Sequence, residues 1–146
     1  MDRLEAIAAR AMALVDTPFL LGGRDPAQGV DCIGLAWLTL GKSGPVPNGY
    51  RLRGGSAHRW RAWFTSAGFA PVHDRPNHGD LWLVRVGPLH LHLLVAVPGG
   101  FVHAHAGLRR VVFLPGDPPW PVEGIWRAPP QPTHQWKETP AWPRSC

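Results

Sequence analysis

The 146-residue sequence has only two cysteines, Cys32 and Cys146, and so little cysteine excludes a disulfide scaffold. It has no apolar run approaching the ~18–20 residues that cross a bilayer, so no membrane insertion is expected. The stretch from Met1 to Val15 carries Asp2, Arg3, Glu5 and Arg10 and lacks the apolar centre of a secretory signal. The expectation is synthesis in the cytoplasm, with any work outside requiring another way out. Charged residues make up only 17% of the chain, and the net charge of +5 is not concentrated in a dense basic run. The arginines come as scattered pairs, among them Arg51 with Arg53, Arg59 with Arg61 and Arg109 with Arg110. The charge suits nucleic acid, anionic lipid or cell-wall polymer without choosing among them, but with neither a basic patch nor a recognition motif a dedicated nucleic-acid surface is not expected.

Glycine and proline are abundant, 17 of each, and 45% of residues are hydrophobic, as in a loop-rich globular domain. Leu4, Ile7, Ala8, Ala11 and Leu14 recur at helical spacing over residues 2–15, with Asp2 as N-cap. Cys32 to Leu40 is apolar nearly all round, which predicts a buried central helix closed by Gly41. A third helix is expected over 57–67, its Trp60, Trp63 and Phe64 facing inward. The pattern then changes to short strand-like runs at 80–86, 89–97, 101–106, 109–114 and 122–127. Helices first and strands second predict an α+β fold, with N-terminal helices packed on an antiparallel sheet of about five strands. Residues 1–127 form the expected domain. Residues 128–146, rich in proline and holding Trp136 and Trp142, read as an extended tail.

The chemistry concentrates in two places. The segment from Thr17 to Leu35 is a Gly- and Pro-punctuated loop ending in Asp31-Cys32 at the start of the apolar helix. A cysteine there meets free backbone N–H groups and the positive end of the helix dipole, which favour a thiolate. The second place holds two His-x-His pairs, His90/His92 and His103/His105, each projecting on one face of a strand. Pro98-Gly99 suits the centre of a type II turn. If Val97 faces Gly100, then His92 faces His105, Leu94 faces His103, and all four imidazoles share a face with His103 diagonal to His92. Such a cluster could bind Zn²⁺, or one histidine could serve as base for Cys32 while another orients it.

Pro18-Phe19-Leu20-Leu21-Gly22-Gly23, a spacer, then Asp31-Cys32-Ile33-Gly34 resembles the opening signature of the NlpC-type papain-like cysteine peptidases, which reads Pro-Tyr-x-x-Gly-Gly and Asp-Cys-Ser-Gly. Gly79-Asp80-Leu81 is similar to the family's Gly-Asp-Leu strand. His92-Leu93-Leu94-Val95 and Phe101-Val102-His103-Ala104 resemble its catalytic-His and Ile-His-Ala strands. The resemblance spans residues 2 to 127 in order and implies a papain-like fold. In it Cys32 is the nucleophile, His92 the base and His103 the orienting group, with His90 and His105 as the alternatives. Asp31, Phe19 and Gly34 are implied at the substrate side, Asp31 either touching a substrate amine or capping the helix. Phe19 replaces the family's Tyr and Ile33 its Ser, removing two polar groups beside the nucleophile. No metal or other cofactor is implied.

The implied activity is cleavage of peptidoglycan stem peptides, at the D-glutamyl–diamino acid bond. Arg24-Asp25-Pro26, Arg109-Arg110-Val111-Val112 and Gly124-Ile125-Trp126-Arg127 are similar to a branch encoded in phage tail modules and gene-transfer agents. That branch implies tail or particle proteins as partners and delivery to the cell wall in a phage-like particle. The rival readings are a His-cluster zinc hydrolase, a non-catalytic tail-hub or wall-binding subunit, and an amidase using the same Cys and His.

Overall fold

The computed structural model describes residues 2–42 and 57–130. Tyr50, Trp136, Trp142 and Cys146 lie outside the described residues, as does the tail beyond residue 130. Helix α1 (Arg3–Ala13) starts in a capping box: the Glu5 N–H donates to Asp2 at 2.8 Å and the Asp2 N–H to the Glu5 carboxylate at 3.3 Å. Its Ile7, Ala8 and Ala11 are buried. Helix α2 (Cys32–Thr39) is buried over most of its circumference, as expected of an apolar helix without a polar face. Helix α3 (Ala57–Ser66) inserts Trp60, Trp63 and Phe64 into the core.

The strands are β1 (Arg24–Asp25), β2 (Gly29–Val30), β3 (Ala70–Pro71), β4 (Leu81–Gly87), β5 (His90–Val97), β6 (Gly100–His105), β7 (Arg110–Pro115) and β8 (Val122–Arg127). The last six form one antiparallel sheet in the order β3-β8-β4-β5-β6-β7, and β1-β2 make a separate two-stranded ribbon. The five long strands and three helices answer to the α+β expectation. The three two-residue strands are too short to show alternation, and the sequence reading passed over them.

Alternation divides the sheet between two cores. Leu81, Leu83, Leu91, Leu93, Val95, Val102, Ala104, Val111 and Trp126 join the helices in the main core. There Phe64 stacks on Trp126 with ring centroids 4.6 Å apart. Val84, Leu94, Ala96 and Phe101 face the other way, covered by Trp82, Val86, Leu114 and Trp120. Trp120 comes from the connector between β7 and β8.

Strand β8 pairs with both β3 and β4 and ends in an ion pair that ties down the start of β4. Arg127 donates from Nε and Nη2 to the two carboxylate oxygens of Asp80 at 2.9 Å each, and the Asn77 N–H adds a third bond at 2.7 Å. Asp80 is fully buried. The domain also continues past the expected boundary at 127: Ala128 is buried and the Pro129 carbonyl accepts from Arg3 Nη1 at 2.6 Å. Arg127→Met would strand the buried Asp80 carboxylate, and the expected cost is about 3 kcal/mol, read as a lower urea midpoint at unchanged slope.

Candidate active site

The loop before α2 is held from two directions. Its outer arm joins the edge of the sheet: Phe19 N–H donates to Arg109 O at 2.9 Å, and Pro18 bridges Arg110 at the start of β7. Its inner arm folds onto Asp31, the N-cap of α2. Asp31 Oδ1 accepts from Gly34 N–H at 2.9 Å and Arg24 Nη1 at 3.2 Å, while Oδ2 accepts from Gly22 N–H at 2.8 Å. Gly22 has φ +74, a left-handed turn conformation that glycine adopts without strain.

Two of the residues expected at the substrate side have partners inside the protein. Asp31 is fully buried with its oxygens engaged inside the protein, so it caps the helix and has no surface to offer a substrate amine. Gly34 is buried as well, and a Cβ there would fall on the Gly23 carbonyl oxygen, so its role is the close approach of helix to loop. Phe19 is half-buried against the main core, bridging Val30.

Cys32 is the first residue of α2 and is 1% exposed. Its sulfur lies at a break in the sheet. Strands β5 and β6 pair only at Val97–Gly100, Ala96–Phe101 and Val95–Val102, although β6 stays paired with β7 as far as His105. Ala96 directs its N–H and C=O to Asp80 and Gly79 on the β4 side, so by alternation Leu93 directs its own toward β6. Beyond Val95 no β6 partner meets it, and the Leu93 N–H hydrogen-bonds the Cys32 sulfur instead. Cys32 thus meets the sheet from the helix side, where β5 and β6 part.

His92, next to Leu93, projects on the opposite side of the sheet, and so does His103. Their rings stand nearly perpendicular, with His92 Nε2 and His103 Nδ1 3.0 Å apart. One tautomer pair makes His92 the donor through Nε2 and leaves a lone pair on its Nδ1; the other does the reverse. No hydrogen bond joins Cys32 to His92 in the resting structure among the described residues. His105, the alternative orienting group, accepts the Leu108 N–H at Nδ1 at 3.0 Å and holds the β6–β7 turn. His90 sits beside the β4–β5 turn, paired with Gly87. The register predicted from the Pro98-Gly99 turn is present as far as Val95–Val102, and Gly99 has φ +83 as a type II turn requires. Trp120, which the sequence reading left out of the site, lies edge-on to His103 with ring centroids 5.8 Å apart. Only its place in a Pro-rich connector marked it.

The charge environment departs from the expected thiolate–imidazolium pair. Burial pushes the Cys32 thiol up to about 12, and the Asp31 carboxylate adds to that. The Leu93 and Cys32 backbone N–H groups and Arg24 act in the other direction and are outweighed. Burial, then the neighbouring His103, His90 and His105, hold His92 down to about 3. His103 is lowered to about 4, again by burial first and then by His105. The resting site is therefore a neutral thiol with neutral imidazoles. Among the described residues no three His, Cys, Asp or Glu side chains converge as a metal-binding group, and the imidazole nitrogens that face each other in His92 and His103 are bonded together.

No protein-family model matches the sequence, and no curated protein does. Solved structures do match. NlpC1 from Trichomonas vaginalis superposes with a TM-score of 0.65 at 19% identity, over 88% of this chain and 46% of that one. NlpC2 from the same organism gives 0.59 at 15%, over 86% and 48%. The NlpC/p60 domain of the peptidoglycan hydrolase SagA gives 0.50 at 23%, over 77% and 88%. The fold is therefore the papain-like one of NlpC/p60 domains, and the chain covers about half the length of the two Trichomonas proteins.

Two outcomes test the site. Carboxamidomethylation of Cys32 by iodoacetamide, followed by mass spectrometry, should rise about tenfold per pH unit through pH 9, as for a thiol titrating far above that range. A plateau beginning below pH 7 would mean a preformed ion pair. Gly34→Ala should destabilise the fold by about 1–3 kcal/mol through overpacking against Gly23.

Proposed function

We propose that the protein is a cysteine peptidase acting on peptidoglycan stem peptides. The observation that carries the reading is the Cys32 sulfur at the Leu93 N–H, one residue from a hydrogen-bonded His92–His103 pair, within an NlpC/p60 fold. In this mechanism His92 holds its proton on Nε2, donates it to His103 Nδ1 and presents the Nδ1 lone pair to the thiol. As the sulfur attacks the scissile carbonyl carbon, the thiol proton passes to His92 Nδ1. The oxyanion is met by backbone N–H donors at the start of α2, Cys32 N–H first among them. The imidazolium, bonded to neutral His103, gives its proton to the leaving amine and a thioester remains. Water, deprotonated by His92, then hydrolyses the thioester and restores the thiol.

Full burial of the thiol assigns proton removal to the attack step itself. A helix dipole partly cancelled by its own capping carboxylate does not stabilise a standing thiolate. Cleavage at the D-glutamyl–diamino acid bond and carriage in a phage-like particle extend this reading on the sequence resemblance. Arg24, one mark of the particle-borne branch, has a structural task here in holding Asp31 and the Gly23 carbonyl.

Purified peptidoglycan incubated with the wild type should release stem-peptide fragments identifiable by mass. Cys32→Ala should release none, and His92→Ala should lose about 10²–10⁴ in rate, with His90→Ala close to wild type. Equal release by wild type and Cys32→Ala would end the thiol-peptidase reading, and no release by the wild type would leave only a binding role. Fragments cut at the sugar–peptide link would make the protein an amidase.

A further inference from the structure

The sheet face that carries His92 and His103 has a second concavity toward the β5–β6 turn. It is an open depression of about 260 Å³ where the loop before β4, the turn and the β7–β8 connector converge. Gly116 N–H donates to Gly99 O at 2.9 Å and closes one side. Trp82 and Phe101 meet edge to face in its wall, with ring centroids 4.8 Å apart. Asn77, His78 and Asp117 supply polar side chains. The Trp82 indole Nε1–H is buried with no hydrogen-bond partner, a donor that ordinarily costs stability unless something accepts it.

We propose that this concavity is a subsite for one sugar ring of the glycan strand to which the stem peptide is attached; the proposal rests on the peptidase reading. Its volume lies just under the ~300–1,000 Å³ of pockets for larger ligands, which suits a single ring. Aromatic walls offer apolar contact to a ring face, while an amide, an imidazole and a carboxylate supply donors and acceptors. Asp117 disfavours phosphate or carboxylate ligands, leaving a neutral, hydroxyl-rich one. The Trp82 indole, part of the aromatic wall, meets the ring by its face.

The spacing agrees. Ala96 lines the concavity and His92 lies four residues along β5 on the same side, roughly 13 Å away at ~3.3 Å per residue. A stem cut after its second residue places the sugar three extended units from the scissile bond, on the order of 10 Å. The connector that supplies Asp117 to the concavity also sets Trp120 against His103.

The test is a titration of ¹⁵N-labelled Cys32→Ala protein with the peptide-free N-acetylglucosaminyl–N-acetylmuramyl disaccharide, following the tryptophan indole resonances. The Trp82 indole should shift with millimolar affinity, and Trp82→Phe and Asp117→Ala should each weaken binding about fivefold by calorimetry. No shift of Trp82 at about 10 mM sugar, or affinity unchanged from Cys32→Ala protein in both variants, would overturn the subsite. Asp117 is exposed, so its variant carries the test if Trp82→Phe fails to fold. Cleavage by the wild type without disaccharide binding would end the subsite and leave the peptidase. Disaccharide binding without cleavage would do the opposite.

Discussion

One carboxylate organises the start of the helix that carries Cys32. Asp31 is where the Gly22-Gly23 turn, the Arg24 guanidinium and the first turn of α2 are joined, and each of its oxygens is engaged away from water. Burial makes those bonds strong and makes the loss of any one costly. It also sets a conflict. The group that aims Cys32 opposes its ionisation, because a negative charge beside the sulfur raises the thiol further. Position and acidity are thus traded within adjacent residues, and the geometry favours position.

The parting of β5 from β6 opens the sheet beside Cys32. A continuous ladder would bond Leu93 to β6 and leave the helix side and the imidazole side separated by backbone. With pairing ended at Val95–Val102, a backbone donor turns to sulfur, and His92, the residue before it, projects on the other face. His92 and His103, bonded to each other on the far side, form a rigid pair whose direction is set by strand alternation rather than by a flexible loop.

The sequence made the helices, the long strands and the turn at Pro98-Gly99 legible, because each carries a period or a punctuating residue. That turn sets the register as far as Val95–Val102; the expected His92–His105 facing lies beyond the paired residues, and His92 meets His103, the diagonal neighbour. The roles of Asp31 and Gly34 were less legible: a carboxylate or glycine beside a nucleophile reads alike whether it meets substrate or backbone, and burial alone separates the cases. The thiol's protonation was also hidden, because a dipole can be inferred from a helix start but desolvation depends on what packs over it. Trp120 and the concavity near Trp82 arise from a connector crossing three strands, a juxtaposition that no local pattern encodes.

The sheet order bears on how the molecule comes into being. β8 lies between β3 and β4, joining residues 70–71 to 126–127 and 81–84 to 122–126. Such pairings are distant along the chain and exact their loop-closure entropy before they return any contact energy. During synthesis, Cys32, His92 and His103 all emerge before the strand that locks β4 in place. A nascent chain therefore holds Cys32, His92 and His103 without the frame that aligns them until β8 inserts.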